Sequence, residues 1–149
     1  MKKYIFGISL FIILLSGIFI FTQKDFKETE LSIKNGDATI TATKLQYEED
    51  KNVEYQHKDI IEYKDQLESM NVSIKNTELY LEFNPSVIKN SKGFAVYIIE
   101  IQNNEVLNVP VNLDIIFLPE KAGEYVVDYI IFSQEDELVR YGFKVFIEE

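Results

Sequence analysis

From Val72 to the last residue, apolar side chains recur at every second position in run after run, with short polar breaks between the runs. A period of two puts successive side chains on opposite faces of an extended strand, so this half of the chain must build sheet. Leu79, Leu81 and Phe83 share a face, and Asn84-Pro85 ends that run, because proline lacks the donor a ladder needs. The run FAVYIIEIQ lies between the turn signals NSKG and NNE. Val109, Val111, Leu113, Ile115 and Phe117 then alternate with Pro110, Asn112, Asp114 and Ile116, which predicts a strand with its odd-numbered side chains inward. After the break PEKAGE, Tyr125, Val127, Tyr129 and Ile131 form one face of a strand. Val139, Tyr141, Phe143, Val145 and Ile147 form one face of the last, and SQEDE joins the two as a hairpin. Both parities are apolar in YVVDYIIF and FAVYIIEI, so these two strands are expected at the centre, covered on one face by the other sheet and partly on the other by the helix or an aromatic neighbour.

Upstream, Leu31 and Ile33 share one parity and Ala38, Ile40 and Ala42 the other, with Thr39, Thr41 and Thr43 on the opposite face. KNGD between them is a hairpin signal, since glycine accepts the positive backbone angles of a tight turn. Residues 44–71 are dense in charge. From Asp59 to Met70 the apolar residues Ile60, Leu67 and Met70, with Tyr63 or Lys64, recur at spacings near three and four, which predicts one short helix packed on a sheet. A mobile charged loop is the alternative for this stretch. Six to eight strands at regular spacing, without alternating long helices, point to an all-β antiparallel sandwich carrying one short helix.

The first residues obey a different rule. Tyr4 to Phe21 is an 18-residue run without charge, about 27 Å long as a helix at about 1.5 Å per residue. Lys2 and Lys3 precede it, which by the positive-inside rule leaves residues 1–3 as a cytoplasmic tail, 4–21 as a transmembrane signal-anchor helix, 22–30 as a stalk and 31–149 as an extracytoplasmic domain. A cleaved signal peptide is the competing reading and would make the protein secreted. The run exceeds the usual apolar core of such a peptide, and no A-x-A pattern follows it.

Charge narrows the partners. Of 15 basic residues, Lys2, Lys3 and Lys24 flank the apolar run, leaving 12 against 25 acidic residues over 25–149, a net of −13. So negative a surface repels phosphate backbones and argues against nucleic acid. Cysteine is absent, which removes disulfides, thiolate metal sites and a thiol nucleophile together.

The segment PEKAGEYVVDYIIF resembles the entry to the sixth strand of immunoglobulin-like and fibronectin-like modules, through Glu120, Ala122, Gly123, Tyr125 and Val127. The resemblance covers residues 72–149. It implies an immunoglobulin-like sandwich in which Tyr125 is a structural tyrosine corner, its hydroxyl bonded back to nearby backbone. Bacterial surface modules of this class mostly act as spacers, adhesion units or assembly partners.

Catalytic chemistry finds little support. His57 is the single histidine, and neither Ser69 nor Ser73 lies in a nucleophile turn. The acidic runs Glu48-Glu49-Asp50 and Glu135-Asp136-Glu137 lack the ligand spacing of a calcium loop. No phosphate loop, dinucleotide fingerprint, H-E-x-x-H or C-x-x-C occurs, so no cofactor, metal or catalytic residue is expected. Tyr47, Tyr55 and Tyr63, with His57, stand in the charged stretch as candidate contacts, because tyrosine buries area while keeping a polar tip. The expected function is a non-enzymatic, membrane-anchored binding or assembly module whose partner is a membrane or cell-wall protein. A small-ligand or divalent-metal sensor or inhibitor is the alternative, and a small hydrolase a more distant one.

Overall fold

The computed structural model describes residues 29–45, 57–83, 87, 89, 91–110, 112, 114–133 and 138–149. The expected anchor, residues 4–21, and most of the expected stalk lie outside the described residues. Among the described residues no helix is long and apolar enough to cross a membrane.

The chain is all-β. Among the described residues, ten strands and a 3-10 helix follow in the order β1 (Ser32–Asn35), β2 (Ala38–Thr41), β3 (Thr43–Leu45), the 3-10 helix (His57–Gln66), β4 (Ser69–Ser73), β5 (Glu78–Glu82), β6 (Ser91–Glu100), β7 (Glu105–Leu107), β8 (Ile115–Phe117), β9 (Gly123–Ser133) and β10 (Leu138–Glu148). They form a four-stranded sheet in the order β2-β1-β5-β8 and a six-stranded sheet in the order β3-β10-β9-β6-β7, with β4 also on β10. All pairings are antiparallel except β4 with β10. The two sheets share one core. Leu31, Ile33, Leu79, Leu81 and Ile116 from the smaller sheet meet Ile98, Val127, Tyr129, Ile131, Tyr141, Phe143 and Val145 from the larger. Here the alternation expected for the long strands places Tyr125, Val127, Tyr129 and Ile131, and Val139 to Ile147, inside.

The first hairpin turns at Gly36-Asp37, where Asn35 pairs Ala38. Gly36 has φ 56° and Asp37 has no positive φ, the type II′ pattern that matches the twist of the flanking strands. At Ala42 the strand changes sheets: Ala42 N–H still donates to Leu31 C=O, and the next residue, Thr43, pairs Gly142 in β10.

Three expectations are corrected. The run 109–117 is not one strand. Asn112 N–H donates to Ile115 C=O and Phe117 N–H to Pro110 C=O, so the chain doubles back and the inward parity flips. Ile116, opposite Leu79, is fully buried, whereas Ile115 and Phe117 are half-buried. Met70 is not on the helix. It alternates with Val72 on β4, and both face the shared core. Ser91-Lys92-Gly93 is not a turn but the irregular start of β6, with a register shift between Ser91 and Gly93.

Polar groups inside the core are anchored. Tyr141 hydroxyl donates to Thr29 C=O at 2.7 Å, which draws a residue assigned by sequence to the stalk into the packed domain. Burial raises the Tyr141 pKa from 10.0 to about 12. Burial also raises Tyr129, with the Asp114 charge adding to it. Its ring stacks on Phe94 at 6.0 Å and lies 6.3 Å from Phe83. A tyrosine whose folded pKa exceeds its unfolded one gives stability that is complete below about pH 10 and is lost as pH rises through the folded pKa. Stability is therefore expected to hold to about pH 10 and then fall by about 1.4 kcal/mol per pH unit for each of the two tyrosines. Urea unfolding against pH, with tyrosinate absorbance as the second probe, checks this. Tyr141→Phe should lessen the slope by about 1.4 kcal/mol per pH unit.

Candidate interaction surface

Between β3 and β4 the chain leaves the edge of β10 and returns to it. Leu45 pairs Arg140 on the way out, and Ser69 pairs Lys144 on the way back. The two ends are clipped together: Glu68 N–H donates to Thr43 Oγ1 at 3.1 Å, and Lys144 N–H donates to Glu68 C=O at 2.8 Å. The 3-10 helix in this excursion lies on the outer face of the six-stranded sheet. Ile60 and Leu67 pack there on Ile99 and Val126, with Leu45, Ile61, Ile101 and Val106 around them. Val126 and Ile99 are fully buried for this reason; β9 is covered on both faces from Tyr125 to Ile131, whereas β6 is so covered only at Ile98 and Ile99 and is half-buried from Phe94 to Tyr97.

The close approach has a local cause. Gly142 sits under the helix, and a Cβ at that position would come within 2.9 Å of both Ile60 Cδ1 and Leu67 Cδ2. Glycine lets the helix seat directly on the sheet. Beside it, on the same face, lies a buried ion pair. Arg140 Nε and a terminal nitrogen donate to the two oxygens of Asp128 at 2.9 Å each, a bidentate arrangement. Arg140 is 4% exposed and Asp128 not at all. Asp128 is opposite Gly142 in the register of β9 and β10. Such a pair is held by geometry rather than by net energy, since desolvation offsets most of the attraction.

Of the four candidate contact residues, Tyr47 and Tyr55 lie outside the described residues. His57 begins the 3-10 helix. Tyr63 is on the same helix and is 42% exposed. Around it Glu62, Asp65, Gln66 and Glu68 are exposed too, so the outward side of the helix is an acidic surface with one aromatic ring. The sequence expectation of an inward Tyr63 or Lys64 resolves to Lys64, which is half-buried.

Tyr125 is fully buried, and its hydroxyl donates to Lys121 C=O, four residues upstream, at 3.0 Å. Burial raises its pKa, and the nearby Glu100 charge adds to that. Opposite Tyr125, Glu100 accepts from Lys121 Nζ at 2.7 Å, which lowers the carboxyl pKa and raises that of the lysine. Tyr125 and Glu100 thus hold one short loop from two sides, and neither is arranged to react.

A second exposed aromatic was not singled out in the sequence. Tyr80, 45% exposed, stands on the outer face of the four-stranded sheet between Lys34 and Ile115. Its hydroxyl donates to Glu78 at 2.7 Å, which raises the tyrosine pKa, and Lys34 bonds Glu82 at 2.7 Å. Its alternation with Leu79 and Leu81 was the available signal. Among the described residues no group of three or more His, Asp or Glu side chains is placed to hold a metal ion. Comparison with known proteins finds no matching family model, no matching characterised protein and no matching solved structure.

Two substitutions test the packing of this surface. Asp128→Ala strands a buried guanidinium and is expected to cost about 3–5 kcal/mol, whereas Asp128→Leu with Arg140→Met together should be near neutral. Gly142→Ala should cost about 1–2 kcal/mol through overpacking, and Ile60→Val, which removes the crowded Cδ1, should recover part of it in the double variant. Urea denaturation of the four variants measures both.

Proposed function

We propose that the chain is a non-enzymatic binding module, held at the outer side of a membrane by residues 4–21 and presenting the excursion between β3 and β4 to a protein partner. The observation that carries this reading is the mounting of that excursion. Its ends are clipped at Thr43 and Glu68, its apolar side is locked on the sheet by Ile60 and Leu67, and its outward side offers Tyr63 among carboxylates. A rigid base with one exposed aromatic anchor is the arrangement that gives affinity at low ordering cost. The acidic rim favours a partner with a basic contact surface.

An immunoglobulin-like frame is the fold reading that fits this role. From β4 onward there are seven strands. In that order the second pairs the fifth (β5 with β8), and the seventh, sixth, third and fourth lie side by side (β10-β9-β6-β7). This order resembles that of immunoglobulin-type sandwiches and supports the reading, as does the hydroxyl bond of Tyr125 at the start of the sixth strand. β1, β2 and β3 would then be additions that widen both sheets on one side.

The test uses the full chain, tagged after Glu149, in intact cells. Proximity labelling with a label confined to the outer side, then detergent extraction and co-purification, should yield a recurrent membrane or wall protein. Tyr63→Ala should lower its recovery about tenfold, as expected when an interface loses an aromatic anchor worth about 1.4 kcal/mol. Labelling from the cytoplasmic side alone would overturn the topology. Failure to retain any partner, or retention indifferent to Tyr63→Ala with Glu62→Lys, would overturn the docking surface.

A further inference from the structure

Strand β2 is an edge of the four-stranded sheet. Its backbone orientation follows from the hairpin. Asn35–Ala38 closes a two-residue turn and Ala42 N–H donates to Leu31 C=O, so Ile40 exchanges hydrogen bonds with Ile33. By the antiparallel alternation, the N–H and C=O groups of Thr39 and Thr41 point away from β1 toward solvent. Ala38, Thr39 and Thr41 are exposed, and Ile40, on the inner side, is only half-buried.

Sheet edges are normally blunted by charge, proline, brevity or a covering segment. β8 is covered, because its outward groups are taken by Asn112 N–H and Pro110 C=O. β7 is three residues long and carries Glu105. β2 is four residues long and, among the described residues, is hydrogen-bonded to no strand but β1; residues 38–43, ATITAT, contain no charge in a chain that is 27% charged. The segment is also palindromic. Ala38-Thr39-Ile40-Thr41-Ala42 reads the same in both directions about Ile40.

We propose that β2 pairs antiparallel with β2 of a second copy of this chain, about a two-fold axis through Ile40. That register sets Thr39 opposite Thr41 of the partner copy, twice, and forms four backbone hydrogen bonds from the groups that now point outward. Threonine faces threonine on the outer side, a favourable cross-strand pair. Ile40 meets its own copy at a non-hydrogen-bonded position, where side chains approach most closely, and this covers its exposed half. The two four-stranded sheets become one continuous sheet of eight, and the symmetry closes at the dimer. β4 is also an edge, but two copies meeting there would bring Glu68 and the acidic face of Glu62 and Asp65 together. At β2 the neighbouring Lys34 and Glu82 already neutralise each other. An edge this short buries less than the roughly 1,000 Å² of a lasting interface, so the dimer is weak and salt-sensitive. The net charge of −10 opposes it at low ionic strength.

The absence of cysteine makes disulfide trapping clean. The full chain in detergent micelles carries Ile40→Cys, with Lys75→Cys as an exposed collisional reference and Asn71→Cys on β4 as the competing edge. Under mild oxidation Ile40→Cys should give a dimer well above the Lys75→Cys level, increasing with salt, with no higher species. Thr39→Cys alone should not cross-link, while Thr39→Cys with Thr41→Cys should. Adding Thr39→Pro to Ile40→Cys removes two of the four outward donors without touching the bonds to β1. It should lower trapping about thirtyfold with an unchanged melting temperature, the product of two lost hydrogen bonds. Trapping at or below the Lys75→Cys level, trapping indifferent to Thr39→Pro, or preferred trapping through Asn71→Cys would each overturn the proposal. Because these readouts use purified protein alone, they stand or fall separately from any partner at Tyr63.

Discussion

Strand β9 is buried on both faces and paired along both edges, and most of the molecule follows from that. It pairs β10 from Gly123 to Phe132 and β6 from Tyr125 to Ser133. One face, Tyr125, Val127, Tyr129 and Ile131, requires a second sheet. The other, Val126 with Ile99 beside it, requires a lid. A sandwich alone satisfies only the first demand. The chain meets the second by inserting the excursion between β3 and β4, and the 3-10 helix is as much a part of the packing as any strand. The described part of the candidate contact surface is therefore the back of a structural element whose inward side, Ile60 and Leu67, is packed on the sheet.

The one charged side chain buried on that strand is Asp128, and the local structure is arranged around it. A buried carboxylate needs a partner with matching geometry. Arg140 provides it from a diagonal position on β10, while Gly142, directly opposite Asp128, leaves room for Ile60 and Leu67 of the covering excursion. Leu or Ile at these positions would pack as well or better. What the pair contributes is register: a shift of β10 by one residue would send Arg140 to the core face and leave Asp128 without its fork.

The sequence conveyed the strands that obey period two and missed those where a local bond overrides it. Val139 to Ile147 reads directly because every second residue is apolar and nothing interrupts the ladder. The run 109–117 looked equally regular, yet the chain doubles back through Asn112 and Ile115 and reverses which parity is buried. Pro110 and Asp114 were the only hints. Met70 fits a helical stripe and a strand alternation equally well. Only the pairing of Val145 with Met70 decides between them, and pairing at that sequence separation leaves no local trace. The same holds for the candidate surface. The stretch was visible from its charge, but that Tyr63 faces out while Ile60 and Leu67 face in depends on Gly142, more than seventy residues further on.

The crossing at Ala42 links the two surfaces argued from the structure. One residue before it the chain lines the smaller sheet, and one residue after it the chain lines the larger. Thr41 thus belongs to the uncharged edge, while the Thr43 hydroxyl clips the base of the excursion. Pairing of two copies at β2 would extend the smaller sheet laterally without covering the outward face of the 3-10 helix, which packs on the other sheet. Each copy would then keep its own acidic surface with Tyr63. A dimer with two such surfaces can bind a repeated or clustered partner far more tightly than one surface allows, provided the spacing suits both sites. Under both proposals, weak self-pairing and single-site docking would act together as avidity, with partner density setting occupancy.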